Sequence, residues 1–361
     1  MIPVARPCIN QDDIAAVMET LQAGELAQGS KIMEFEAAFA NYIGVRFAIA
    51  TSSGTTALIA AFRALELPAG SKVVTTPLTF AASVNSILWA DAMPVFADIN
   101  PHTFNLGVEQ LLEALEQHPE TRAVLIVHLY GLAAEMPEIK RICLERGIWL
   151  IEDCAQAVGA IVGNQKAGSF GHLATFSFYA TKNMTTGEGG AVVTSSPELA
   201  RRVRLYINHG QQESYNHIEL GFNFRLSNLQ AALGLSQLKR LDALNQRRRE
   251  NAAYYLNNIR HEAVTLPFEP DGCQHTYHQF TVRSPFRDQL VDHLREMGVS
   301  TKIYYPTLVP DQPYFRSFPS ASLPLREARR ATFEVLSLPV FPSLLPEERA
   351  WVAKAVNSFR L

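Results

Sequence analysis

The chain has 361 residues, of which 47% are hydrophobic and 19% charged, and a formal net charge of -3, a balance that gives no global affinity for nucleic acid. A chain of this length exceeds what one hydrophobic core usually serves, so a large domain and a smaller one are expected. No apolar run approaches a membrane span, the N-terminal MIPVARPCINQDD lacks a signal peptide's apolar stretch, and Cys8, Cys143, Cys154 and Cys273 form no C-x-x-C pair; a cytoplasmic protein without a disulfide framework, structural zinc or iron–sulfur cluster is expected.

The apolar run 47–50 predicts a strand that passes through Ser52, Ser53, Gly54 and Thr55 into an apolar helix. A strand–helix alternation follows: strand 72–75, helix 81–90, strand 94–97, helix 108–115, strand 123–127, helix 137–146, strand 148–151. That rhythm predicts an α/β fold with a three-layer, mostly parallel sheet and helices on both faces. Further strands are predicted at 172–178 and 190–194, then helix through 227–255, with Arg247, Arg248 and Arg249 on its solvated face. Strand 277–282, helix 286–297 closed by Gly298, and an extended stretch 300–305 predict a smaller α+β C-terminal domain. The Pro-rich segment 306–324 is expected to be a surface loop. The expected division is 1–244 for the large domain, including an N-terminal arm, and 245–361 for the small one.

Three pieces of this chain carry chemistry. Lys182, in FSFYATKNMTTGEGG, follows an apolar strand; an amine becomes a nucleophile toward carbonyl compounds when burial or a neighbouring cation depresses its pKa. Taken alone, a lysine after a strand is usually a solvated turn residue, and only its neighbours change that reading. In GIWLIEDCAQAVGA, Asp153 ends a buried parallel strand, the edge at which open α/β sheets bind ligands, and Gln156 stands one turn further on. Asp153 could instead cap a following helix. Ser53, Gly54 and Thr55 open a helix whose free N–H groups and dipole suit a phosphate. Cradle, carboxylate and lysine together match the needs of pyridoxal 5'-phosphate: its phosphate, its ring nitrogen and its aldehyde. Phe80, in TTPLTFAAS, is placed to stack on the ring face, unless it is a core phenylalanine.

The run of motifs GELAQGSKIMEFEAAFANYIG, SSGTTAL, PVFADINPHTFNL, VHLYG, IEDCAQAVGA, FSFYATKNMTTGEGG, LGFNFRLSNLQAALGLSQL, YYP and LSLPVFP resembles the DegT/DnrJ/EryC1/StrS sugar aminotransferases, pyridoxal-phosphate enzymes of the aspartate aminotransferase fold, fold type I. Cys154 and Ala180 depart mildly from that pattern, where alanine and proline are common. The resemblance implies that Lys182 is the Schiff-base lysine, Asp153 pairs with the pyridine nitrogen, and Gln156 bonds the ring hydroxyl. It places the phosphate on the backbone at Gly54 and Thr55, on Ser177, and on Asn223 of the partner subunit, which implies a homodimer with shared active sites. It further implies that L-glutamate is converted to 2-oxoglutarate, leaving the cofactor as its amine (PMP), which then aminates a nucleotide-linked ketosugar on the way to aminosugars and polysaccharides. Lys302, Tyr304, Tyr305 and Arg225 are candidates to meet that substrate. His128 reads equally as a core residue or a proton carrier, and His209 as a turn residue. Lysine rather than histidine at position 182 argues against the sugar dehydratase branch of the family. The same residues would also serve an aromatic amine synthase or a non-catalytic cofactor sensor.

Overall fold

Eight strands form the central sheet of the computed structural model, which describes residues 1–360. In chain order they are β1 (Phe47–Thr51), β2 (Lys72–Thr75), β3 (Met93–Phe96), β4 (Ala123–Val127), β5 (Trp149–Asp153), and the strands Leu173–Ser177, Gly190–Thr194 and Ala321–Ser322. Across the sheet the order is β1, Gly190–Thr194, Leu173–Ser177, β5, β4, β2, β3, Ala321–Ser322. Every neighbouring pair is parallel except the two made by Gly190–Thr194.

Parallel strands need crossovers, and the helices that supply them cover both faces. Successive residues therefore enter different cores. Val73, Leu125 and Ile151 pack with Ala57, Ala61 and Phe62 of one helical layer, whereas Val74, Val124, Ile126 and Leu150 pack with Leu111, Ile139 and Ile142 of the other. This makes strands such as AVLIV continuously apolar and yields the expected three layers.

Of the helices α1 (Gln11–Ala23), α2 (Ser30–Ile43), α3 (Gly54–Ala64) and α4 (Ala81–Trp89), α1 and α3 begin at legible capping signals. Asn10 and Ser53 each close a capping box, and α1 ends at Gly24 with φ of 74°, the left-handed conformation glycine adopts without steric cost. A separate core, with Tyr255, Phe280, Leu290, Leu294, Leu336 and Val352 at its centre, surrounds the antiparallel pair Phe280–Arg283 and Val335–Leu338. Among the described residues no helix is long and apolar enough to cross a membrane.

Several expectations are corrected. The predicted helix 227–255 is two helices, Asn228–Lys239 and Leu241–Asn258, broken at Arg240, whose guanidinium is drawn to Asp13 and to the carbonyl of Cys8. The second helix runs without interruption through residue 244. The Arg247–Arg249 run is not one solvated face: only Arg247 projects into solvent, Arg249 pairs with Glu269, and Arg248 is buried with no carboxylate beside it. The segment 306–324 is more than a surface loop, because Leu308, Val309 and Phe315 are buried and Ala321–Ser322 pairs with β3 at the sheet's edge. Strand pairing and a shared core override the reading of prolines as loop punctuation.

Glu152 anchors the middle of the sheet. It is wholly buried, and its carboxylate accepts hydrogen bonds from Gly168 N–H (2.8 Å), Phe170 N–H (2.8 Å), Gly171 N–H (2.6 Å) and His128 Nε2 (2.9 Å). Ala134 N–H donates to His128 Nδ1 at 3.1 Å, so the proton of the neutral ring sits on Nε2 and points at Glu152. His128 is thereby a structural residue. His128, Glu152 and Cys154 lie close enough together to suggest a metal site, but the lone pairs of His128 and Glu152 are already engaged. Replacing Glu152 with Gln turns an amide N–H toward backbone donors. Urea unfolding of Glu152→Gln should show a loss of roughly 2 to 4 kcal/mol, and wild-type stability in this variant would contradict the structural role.

Candidate active site

A cleft of about 680 Å³ opens at the carboxyl ends of the parallel strands. Ser53, Gly54, Thr55, Phe80, Asp153, Gln156, Ser177, Lys182, Lys302, Tyr304 and Tyr305 all line it. Residues more than two hundred positions apart thus meet in one space. Asn223 and Arg225 do not. Asn223 is exposed, with its backbone bridged to Asn208, and Arg225 lines a separate cavity of about 210 Å³ and donates to Asn208 Oδ1.

At one end of the cleft, α3 presents its N-terminus. The Ser53 hydroxyl accepts from Thr56 N–H at 3.1 Å and the Thr56 hydroxyl accepts from Ser53 N–H at 3.0 Å. The N–H groups of Gly54 and Thr55 keep no partner among the described residues and line the cleft. Space here is tight enough to require glycine twice. A Cβ on Gly54 would lie 2.8 Å from Ser177 Cβ, and one on Gly190 would lie 2.5 Å from the Ser53 carbonyl oxygen. Bare backbone lets the helix end approach the two neighbouring strands, leaving paired N–H donors and the Ser177 hydroxyl around a space suited to a dianion.

Asp153 lies at the floor. Its Oδ2 accepts from the Ser83 hydroxyl at 2.7 Å, and the Thr79 hydroxyl lies 2.9 Å from Ser83 Oγ. Its Oδ1 accepts from Ala155 N–H at 3.1 Å, a local turn; no helix follows, which disposes of the helix-cap reading. Sequence reading missed Thr79 and Ser83, whose only signal is their spacing of four on the entry to α4. Gln156 is held at both ends: Oε1 accepts from Tyr130 N–H at 2.7 Å, and Nε2 donates to the Tyr305 hydroxyl at 2.7 Å, with its second proton left over. Tyr130 and Tyr305 both adopt φ of 59°, a left-handed conformation uncommon for side-chain-bearing residues. Phe80 is 63% exposed at the cleft, so it is not a core phenylalanine.

Lys182 opens into this space with protein crowding its other sides. Burial brings its amine down to about 8, and the negative charge of Asp153 opposes that fall. An amine so placed carries a far larger uncharged fraction near neutrality than an ordinary lysine does. His278 and Gln279, also missed from sequence, complete the wall on the side of the small domain.

Bare N–H groups, a carboxylate and a lysine of lowered pKa form the donor set that a phosphorylated pyridine aldehyde requires. Fold and site define an enzyme of the aminotransferase class. The chain belongs to the DegT/DnrJ/EryC1/StrS aminotransferase family, whose profile matches residues 7–357. It is 37% identical over 345 residues to a pleiotropic regulatory protein of Geobacillus stearothermophilus, covering 94% of this chain and 92% of the relative. It is 35% identical to the UDP-N-acetyl-3-dehydro-alpha-D-glucosamine 3-aminotransferase of Acidithiobacillus ferrooxidans, covering 97% and 94%. Among solved structures, S. venezuelae DesV in complex with a ketimine intermediate superposes with a TM-score of 0.91 at 35% identity, covering 96% of this chain and 93% of that one.

The opposed effects on Lys182 give a test with a definite sign. In cofactor-free protein, labelling by an amine-reactive reagent, followed by peptide mapping, should be half-maximal near pH 8 at Lys182 and well above that at exposed lysines. Asp153→Asn removes the charge that raises the amine's pKa, so the Lys182 midpoint should move to lower pH. A midpoint unchanged or raised in that variant would show that the two groups do not interact.

Proposed function

We propose that this chain is a pyridoxal-phosphate aminotransferase that converts a nucleotide-linked ketosugar to an aminosugar with L-glutamate as donor. The observation that carries the reading is the convergence of Lys182, Asp153 and the bare N-terminus of α3 on one cleft. The UDP-linked sugar in the name of the Acidithiobacillus relative supports the substrate class. The large domain, residues 1–244, supplies these groups, and the small one, 245–361, closes over them with Lys302, Tyr304 and Tyr305.

In this reading Gly54 and Thr55 N–H, with Ser53 and Ser177, hold the cofactor's phosphate. Asp153 holds a proton on the ring nitrogen, and Ser83 and Ala155 keep its carboxylate from turning away. Gln156, oriented by Tyr130 N–H, directs its remaining amide proton to the ring hydroxyl. Phe80 covers one ring face. The bound cofactor supplies an aldehyde that takes up an amino group and a protonated ring that accepts an electron pair. Lys182 Nζ, its pKa lowered by burial, takes the proton from the donor's α-carbon and gives a proton back, in a volume that Tyr304 and Tyr305 border. Running the exchange in reverse on a ketone delivers the amine to the sugar ring.

The reading includes a symmetric homodimer in which Asn223 of the partner subunit reaches the phosphate. In support, Asn223 is exposed, and exposed apolar side chains (Ile14, Met18 and Leu21 on α1, Leu26, and Met33 on α2) form a band that a second copy would cover.

Two measurements test this. L-Glutamate alone should release one equivalent of 2-oxoglutarate per site, and a nucleotide-linked ketosugar, but not the free ketosugar, should restore the capacity for a second equivalent. Equal restoration by both sugars would reduce the reading to a generic aminotransferase. Mixing Lys182→Ala and Asn223→Ala chains by co-expression should give hybrids with one intact site and activity well above either parent; a fully active monomer would exclude the shared site.

A further inference from the structure

We propose that His278 and Gln279 form a hydroxyl-reading subsite in the wall of the cleft, where two preset neutral acceptors take hydrogen bonds from ring hydroxyls of the acceptor sugar. The proposal rests on the ketosugar reading above and deepens it.

Both side chains line the cleft and are more than nine-tenths buried, His278 at 8% exposure and Gln279 at 5%. Gln279 Oε1 is a buried acceptor with no partner among the described residues. A buried orphan of this kind is costly in a folded protein, and its occurrence in a cleft wall points to a ligand that supplies the missing donor.

His278 is preset by a chain of buried amides that begins on the backbone. Asn245 Nδ2 donates to the Val158 carbonyl at 3.0 Å, so Asn245 Oδ1 faces Asn183 and accepts from its Nδ2 at 2.7 Å. Asn183 Nδ2 also donates to the Thr276 carbonyl at 3.2 Å, which leaves Asn183 Oδ1 to accept from His278 Nδ1 at 3.0 Å. With the proton on Nδ1, Nε2 of a neutral ring is an acceptor. The ring stays neutral because burial, then Lys182, then Arg248 push its pKa well down. Arg248 donates to the carbonyls of Tyr277 and His278.

The charge of this wall selects the ligand. Acceptor lone pairs repel a carboxylate or phosphate at contact, and the Arg248 guanidinium behind the wall disfavours an ammonium. An uncharged donor remains, and on a sugar that donor is a hydroxyl. The subsite therefore discriminates sugars by hydroxylation rather than by nucleotide.

Calorimetric titration of the enzyme carrying its cofactor in the amine form, which offers an aminosugar no carbonyl to join, tests this without turnover; the ligands are a nucleotide-linked aminosugar and its single-deoxy counterparts. Deleting the hydroxyl that meets Gln279 should weaken binding by about five- to tenfold, the worth of one neutral hydrogen bond. In Gln279→Met, which keeps length but has no acceptor, that deoxy analogue and its parent should bind within twofold of each other, a coupling between side chain and hydroxyl. If every deoxy analogue binds the wild type within twofold of its parent, the subsite does not exist, whatever the variant does. If Gln279→Met discriminates all analogues as the wild type does, the assignment is overturned. Failure of the wild type to bind any nucleotide-linked aminosugar would overturn the ketosugar reading itself, a distinct outcome.

Discussion

Two consecutive carboxylates end β5, and the pleat of the strand sends them to opposite sides of the sheet. Glu152 points into protein and is saturated by three backbone N–H groups and an imidazole N–H. Asp153 points into the cleft, with one hydroxyl and one backbone N–H as partners and lone pairs to spare. Burying a charge is costly unless it is paired or hydrogen-bonded, so the first carboxylate locks loop 168–171 and the His128 turn around the strand end, and the second is tolerated as a reactive group. A one-residue slip in register would exchange their roles.

The remainder of the site depends on how closely other elements approach that strand end. Absence of side chains at Gly54 and Gly190 lets α3 seat its N-terminus against the neighbouring strands, so two peptide N–H groups act where longer side chains would have had to reach. Lys182 follows the next strand over and is crowded enough to lose its proton at about pH 8, yet close enough to Asp153 to keep part of its affinity for one. The cleft thus balances a buried base against a buried acid, neither fully neutralised by protein.

The segment that carries the separate core adds a different chemistry. Its contribution to the cleft, from His278 to Tyr305, consists largely of neutral hydrogen-bonding groups held by buried amides and phenols.

The amino-acid sequence by itself determined the alternation of strands and helices, the parallel sheet, and the positions of Lys182, Asp153, Gln156 and the cradle at Gly54, because each rests on local pattern: apolar period, strand end, helix entry. It could not disclose that Arg240 breaks a helix to reach Asp13, that a proline-rich stretch contributes a sheet strand, or that Arg248 is buried among its exposed neighbours; each depends on partners more than seventy residues away in the chain or on packing from other elements. Ser83, His278 and Gln279 were invisible for the same reason. A serine, a histidine and a glutamine are common anywhere, and what gives these three their roles is a carboxylate, an amide chain and a cleft that only tertiary packing brings to them.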